Sequence, residues 1–593
     1  MRNAIRRAVL PVLVLLCITS QAHADRIHVN INTPFDGDGS TWGQAMRSLV
    51  DALAMAQPGD EVWVAQGVYG IGANALRDDS FVVPTGVALH GGFVGGENAL
   101  SERPADFGAS QTFLGGGQNN AYSVVRLSGG TGDTIIDPFI IRNGNADGDP
   151  NGLLRETRGG GMFINMRDDV LIRDVVIRDC NAAGDGGGLY MFDTVPTSRL
   201  TMERVRFNRC IAGGEGGGAY IEHLVDMVDC EFSECEASEG GGLRLAGDTG
   251  MTMIGGSFIE NRALTGRGGA IDVGGEAQEY TTTIEGVLFR LNTAQAAGGA
   301  IAYEGESRQF IRSSVFEANL TNSVDAFGGA IFATFFGIDD DPGIRIDNSL
   351  IAGNEAGSRG GGIYLNLNGP DTSSITNCTI TGNESRTQDA GGIFAQSSTI
   401  NIANTIIWDN RSGNGSGTQS ESLVITSSAD VSNSLVEHWG VGQTPLPGTD
   451  TSGDDPMLVD ADGPDNVFGT ADDNARLTAG SPAIDAGDSS RLATFIDLDI
   501  YGDPRRADDT GTPDTGIPSS LGPTIDISAA EFQGATPIDC LADTNGDGEL
   551  NPADFNAWVI AFNNQTPACD QNGDGLCNPA DFNAWVINFN AGC

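Results

Sequence analysis

Two stretches near the C-terminus carry residues of the type and spacing that bind a hard cation. Asp543-Thr-Asn-Gly-Asp-Gly-Glu-Leu-Asn-Pro-Ala-Asp recurs 27 residues later as Asp570-Gln-Asn-Gly-Asp-Gly-Leu-Cys-Asn-Pro-Ala-Asp. Calcium takes oxygen ligands, and a twelve-residue loop supplies them from alternate positions around a glycine turn, with a carboxylate at the end. In the first loop these are Asp543, Asn545, Asp547, Asn551 and Asp554 with the carbonyl of Glu549. The second offers Asp570, Asn572, Asp574, Asn578 and Asp581 with the carbonyl of Leu576, so the expected cofactor is two Ca2+ ions. Asn551 and Asn578 can also cap helices that begin at Pro552 and Pro579, with Asp554 and Asp581 near the positive helix end. Pro537 and Pro567 stand where an entering helix would run, which predicts a loop followed by a helix. Phe555, Trp558, Val559 and Phe562, and again Phe582, Trp585, Val586 and Phe589, give each helix an aromatic face that the other can bury.

A second set of chemically capable residues sits in a repeat. A glycine-rich motif, followed by an apolar, any, apolar pattern, returns at Gly159, Gly186, Gly216, Gly240, Gly268, Gly298, Gly328, Gly360 and Ala390. The residue between the apolar positions points outward and reads Phe163, Tyr190, Tyr220, Arg244, Asp272, Ala302, Phe332, Tyr364 and Phe394. The aromatic members form an expected ligand-binding stripe, suited to stacking on sugar rings or burying a partner's side chains. Arg244 and Asp272 interrupt it beside Glu222, His223 and Glu304. A carboxylate pair can supply acid and base for glycosidic cleavage, and an arginine can abstract a proton in an elimination, which makes Arg244, Asp272 and Glu304 the catalytic candidates.

The elements that must position these residues are strands. The repeat period of 24 to 32 residues marks a solenoid, and its short alternating apolar segments exclude helical repeats. A second register runs alongside: an apolar residue followed three places later by Cys180, Cys210, Cys235, Asn261, Asn292, Asn319, Asn354, Asn383 or Asn410. Stacked coils bring these together, so each Asn is expected to bond the Asn of the neighbouring coil at a corner, with Cys as a small buried filler.

This pattern resembles the right-handed parallel β-helix proteins, in particular secreted bacterial ones with glycine-rich coils and Asn-bearing turns. The likeness extends upstream through Trp42-Gly-Gln-Ala, Leu53-Ala-Met-Ala-Gln-Pro-Gly-Asp and Gly86-Val-Ala-Leu-His-Gly-Gly-Phe. A short helix near Trp42 to Met55 is expected to cap the first coil. Ser481-Pro-Ala-Ile-Asp-Ala-Gly-Asp, Pro513-Asp-Thr-Gly and Ala530-Glu-Phe-Gln-Gly resemble a C-terminal segment of surface-attached members. The acidic stretch from Asp460 to Asp473 reads as a solvated loop, with calcium binding as the alternative. The duplicated loop-helix resembles a dockerin, which implies a cohesin-like partner on a scaffold or cell surface. Pro552-Ala553 and Pro579-Ala580 depart from the residues usual at the partner-reading positions, and the ending Gly592-Cys593 is similar to a variant of environmental bacteria. Of three connectivities, that likeness favours Cys540 with Cys593 and Cys569 with Cys577.

The expected fold is therefore mainly β, a right-handed parallel β-helix solenoid followed by a small all-α dockerin-like module. Arg2, Arg6 and Arg7, the apolar run from Ala8 to Ile18 and Ala22-His23-Ala24 read as a signal peptide of residues 1–24. Residues 25–440 form the solenoid with its cap, 441–535 an Asp/Gly/Pro-rich cap or anchor-type segment, and 536–593 the calcium module. A secreted, non-enzymatic binding or adhesion platform is the preferred function, and a polysaccharide lyase or glycoside hydrolase is the alternative. With 79 acidic against 32 basic residues and a net charge of −47, nucleic acid is not an expected partner, whereas calcium, a docking protein and a polysaccharide are. No later stretch has the length of a membrane span.

Overall fold

The structure, a computed structural model, describes residues 25–593 except 73–74, 105–110, 118–119, 129–131, 166–168, 193–198, 248–249, 276–280, 306–307, 336–342, 368–371, 397–398, 414, 416, 442–448, 521, 534–541, 543, 545–551, 565, 567–568, 570, 572–576, 579–580, 583, 587–588 and 590–593. The expected signal peptide thus lies outside the described residues. Contacts divide the chain into one unit ending at Cys230 and a second beginning at Glu231.

In the first unit, coils stack as parallel strands in three sheets. Arg26–Val29, Glu61–Ala65, Ala88–Phe93, Thr134–Asp137, Val170–Arg173 and Arg199–Glu203 succeed one another in one sheet. Phe81–Val83, Val125–Ser128, Met162–Asn165, Leu189–Phe192 and Ala219–Ile221 form the second. The two-residue strands Asn145–Ala146, Asn181–Ala182 and Ile211–Ala212 form the third. The start is covered as expected: a 3-10 turn at Trp42–Gln44 and the helix Leu49–Met55, which Ser48 caps by accepting from Asp51 N at 3.1 Å. Leu49, Ala52 and Leu53 of that helix are buried, and it packs on the first strands.

The second unit repeats the plan. A typical coil gives two strands to the first sheet and one to each of the other two, as in Arg308–Arg312 with Val315–Glu317, Ile301–Gly305 and Leu320–Thr321. Register is exact in residue type: Ile271, Ile301, Ile331, Ile363 and Ile393 align coil upon coil. Phe258, Phe289 and Phe316 stack inside with ring centroids 5.2 and 4.7 Å apart. Glycines open each second-sheet strand for two separate reasons. Gly328 has φ +66°, where a Cβ is strained, and a Cβ on Gly329 would lie 2.1 Å from the carbonyl oxygen of Gly361 in the next coil.

The asparagine row is a continuous hydrogen-bonded column. Asn261, Asn292, Asn319, Asn354 and Asn383 each donate from Nδ2 to Oδ1 of the next, at 3.0, 2.9, 2.8, 2.9 and 2.9 Å, ending at Asn410. Asn292 shows the full pattern. Its Nδ2 donates to Phe258 O (2.8 Å) and Asn319 Oδ1, while its Oδ1 accepts from the backbone and side-chain nitrogens of Asn261. Every valence of a fully buried amide is thereby used. The cysteines of this position are buried thiols outside any disulfide, as are Cys230 and Cys378.

A second asparagine row, not recognised from the sequence, holds Asn348, Asn377, Asn404 and Asn433 in the left-handed region, with φ from 45° to 55°. Residues 454–533 dock along it. Asn404 donates to Asp488 O and accepts from Asp488 N (3.0 and 2.7 Å), and Asn348 donates to Leu498 O (3.1 Å). Leu477, Ala483, Ile484 and Ile527 join Ile406 and Leu435 in one apolar cluster. The fully buried Arg505 binds Glu531, Asn348 Oδ1 (3.2 Å) and Ser528 O (2.6 Å).

Asn319→Ala takes away the acceptor of Asn292 N and Nδ2 and the side-chain donor to Asn354 Oδ1, breaking the column in the middle. It is expected to destabilise the second unit by about 2 to 4 kcal/mol, seen as a lower urea midpoint, with a smaller effect from Ala at an exposed turn.

Candidate functional site

The outward row of the second unit begins with charge. Arg244 on Leu243–Ala246 lies in register with Asp272 on Ile271–Gly275, followed by Ala302 on Ile301–Gly305. The Arg244 guanidinium pairs with the Asp272 carboxylate, which has no exposure to solvent. Gly274 makes room for it, since a Cβ there would stand 2.9 Å from Arg244 Nη2. Arg267, not singled out by the sequence reading, completes the group. It pairs with Glu304 and lies 3.9 Å from both Asp272 Oδ1 and Glu239 Oε2. The three catalytic candidates are therefore brought together, Glu304 through Arg267. An arginine held on a buried carboxylate stays protonated, so the arrangement positions charge rather than a free proton acceptor. Glu304, with 42 % of its side chain exposed, is the member open to solvent.

The aromatic members stack face to face along the strand-to-strand direction. Phe163, Tyr190 and Tyr220 have centroids 5.7 and 5.1 Å apart in the first unit. Phe332, Tyr364 and Phe394 have centroids 5.5 and 5.4 Å apart in the second. Arg158 lies over Tyr190 and donates to its hydroxyl at 2.8 Å, and Arg359 lies over Phe394. Tyr190 is 1 % exposed, and Phe163, Tyr364 and Phe394 are 4 to 6 % exposed, whereas Tyr220 and Phe332 are half-buried. Ring faces turned toward each other are closed to a sugar, so a ligand would meet the half-buried rings and the edges. Tyr220 donates to Glu222 Oε1 at 3.0 Å, and His223 is buried. Burial pushes the Tyr190 hydroxyl up to about 12.

In the C-terminal module, Asp543, Asn545, Asp547, Glu549, Asn551, Asp570, Asn572, Asp574 and Leu576 lie outside the described residues. Asp554 and Asp581, the last ligand of each loop, are described and fully buried. Asp581 accepts from Gln571 N and Asn578 N at 3.0 and 2.7 Å, so its carboxylate ties those two backbone positions together. Asp554 lies in the first turn of the helix Pro552–Asn564, the placement read from sequence. The two aromatic faces meet: Phe555 lies 5.2 Å from Trp585, and Trp558 lies 5.6 Å from Phe582. The halves also exchange hydrogen bonds. Trp558 Nε1 donates to Cys569 O and Trp585 Nε1 to Ala542 O, both at 3.2 Å. Each indole thus holds the residue preceding the other half's loop. The 27-residue offset relates both pairs and was the available signal for this exchange. Cys569 and Cys577 form a disulfide, while Cys540 and Cys593 lie outside the described residues.

The acidic stretch from Asp460 to Asp473 gathers Asp465, Asp472 and Asp473. These oxygens serve their own loop: Asp473 accepts from Gly469 N and Thr470 N at 2.6 and 3.2 Å, and Asp465 from Val467 N at 2.9 Å.

A family model described as the right-handed beta helix region matches residues 223–386. Together with the coils, this makes the fold a right-handed parallel β-helix. Among solved structures the chain is similar to the crystal structure of pectate lyase Pel9A. Identity is 14 %, with 86 % of this chain and 98 % of that chain covered, at a TM-score of 0.33. No curated protein matches the chain. Among the described residues, no helix is long and apolar enough to cross a membrane.

Arg244→Met removes the direct guanidinium partner of the buried Asp272 carboxylate, leaving Arg267 at 3.9 Å, and is expected to destabilise the chain by about 3 kcal/mol in a denaturant titration. A raised hydroxyl pKa means that the folded chain holds its proton more tightly than the unfolded chain. The stabilisation from Tyr190 is complete below about pH 10 and is lost as pH rises toward about 12. Tyrosinate absorbance in Tyr190→Phe against the parent is expected to lose one late-titrating phenol.

Proposed function

We propose that the chain is a secreted, non-enzymatic binding or adhesion platform, attached to a scaffold or cell surface through its C-terminal module by a calcium-dependent, dockerin-cohesin type of contact. The observation that carries this reading is the duplicated oxygen-ligand loop, with a buried carboxylate ending each copy and reciprocal Trp558 and Trp585 bonds joining the halves. A module whose two halves each hold the other's loop gains rigidity when both loops bind an ion, and a rigid helix pair is what a docking partner can recognise. Under this reading the β-helix presents its outward row as the binding surface, with a polysaccharide as the favoured ligand class.

The competing reading is a polysaccharide-degrading lyase or glycoside hydrolase carried by the same module, with Arg244, Asp272 and Glu304 as its reactive groups. The closed ion pairs of Arg244 and Arg267 favour the platform, because proton transfer needs a group free to gain or lose a proton at the substrate.

Capture of the full chain by an envelope fraction of the producing cell is expected in calcium and lost in EDTA. Asp547→Ala with Asp574→Ala should reduce capture by at least about tenfold; capture that ignores both treatments sinks the docking claim. Release of reducing ends or unsaturated products from a polysaccharide panel would overturn the non-enzymatic reading.

A further inference from the structure

A cluster of carboxylates lies in the 454–533 segment, away from the outward row. One oxygen from each of Asp485, Asp508 and Asp514 lies within 4.8 Å of the others. Asp508 and Asp514 are exposed, but Asp485 is fully buried, and neither oxygen of its carboxylate meets a hydrogen-bond donor. Its neighbour Asp526 shows the contrast: Asp526 is also buried, yet its oxygens accept from Asp485 N at 2.8 Å and Phe532 N at 2.5 Å.

The backbone is built to hold this cluster closed. Thr515 N and Gly516 N both donate to Asp485 O, at 2.9 and 3.0 Å, and Ile517 N donates to Gly487 O at 2.8 Å. A Cβ on Gly516 would stand 2.1 Å from Gly487 O, so only glycine permits this approach. Three arginines of the segment are engaged elsewhere, Arg505 with Glu531, Arg491 with Asp488 and Arg476 with Asp503, and Nη1 and Nη2 of the fourth, Arg506, meet no hydrogen-bond partner among the described residues, Asp485 included. Among the described residues no cation pairs with Asp485. A buried carboxylate with neither donor nor counter-charge is strongly disfavoured, and burial with Asp526, Asp514, Asp508 and Asp509 nearby pushes its carboxyl up to about 7.

We propose that Asp485, Asp508 and Asp514 bind a calcium ion that fastens the loop of residues 506–516 to the segment beginning at Asp485. Three hard oxygens suit calcium rather than a soft transition metal, and their spacing fits within two calcium–oxygen bond lengths, about 5 Å. Backbone carbonyls and water supply the remaining ligands. The ion stabilises the 454–533 segment against the coils, because Asp485 and Gly487 flank the bonds that Asn404 and Asn433 make to Asp488 and Ala486.

The site is independent of the C-terminal loops, so it is tested in the full chain carrying Asp543→Ala, Asp547→Ala, Asp570→Ala and Asp574→Ala. Native mass spectrometry in calcium is expected to count one ion fewer when Asp508→Ala and Asp514→Ala are added. Asp485→Asn keeps the side-chain volume and guards against misfolding. In EDTA it should match or exceed its parent in Tm, since a buried like-charge contact is relieved. Calcium should raise the parent's Tm by about 2 °C or more and leave Asp485→Asn unmoved. An unchanged ion count, or an equal Tm gain in the two chains, overturns the proposal.

Discussion

In-register stacking of coils depends on satisfying polar groups at corners that no solvent reaches. An asparagine amide has two donors and two acceptor sites, and in the column from Asn261 to Asn410 each interior amide uses all four on the coils before and after it. Such a column fixes register: a one-residue slip would strand several buried amides, each costing about 1 to 3 kcal/mol. The phenylalanine stack beside it fills volume but tolerates sliding. In the first unit the same corner carries Cys180 and Cys210, whose thiols reach backbone carbonyls at 3.3 and 3.6 Å. A thiol is a weak donor, so there the backbone ladder and glycine corners carry more of the register.

The outward row follows from that stacking. Identical positions on successive strands fall one coil apart, so like side chains stack and opposite charges pair. Phe332, Tyr364 and Phe394 form a ring column for the same reason that Arg244 meets Asp272. The row is first a consequence of repetition, and the members that stacking leaves open are the half-buried Tyr220 and Phe332 and the exposed Glu304.

Carboxylates then divide by what holds them. Asp272 is held by guanidinium, Asp526 by backbone amides, and Asp473 by its own turn. Asp485 has none of these, and that difference separates a carboxylate already satisfied from one that calls for a cation. Asp581, like Asp526, is held by backbone amides, those of Gln571 and Asn578.

Sequence alone was sufficient where a local rule repeats. The glycine motif, the apolar alternation and the Asn register gave strands, coils and the amide column, because stacking turns a linear period into spatial contact. The start of the helix at Pro552 and the facing aromatic residues were equally readable, since capping and 3.6-residue spacing are local. What needed the folded chain were contacts between residues far apart with no shared period. Arg267 reaches Glu304 across coils, Arg505 lies 157 residues from the Asn348 it binds, and Asp485 meets Asp508 and Asp514 only because Gly516 lets two segments touch. The second asparagine row looked like ordinary turn residues, and its use as a docking edge appears only when residues 454–533 are laid against it. Burial of the aromatic row was likewise undetermined by sequence, because alternation tells which face a side chain takes but not what packs over that face.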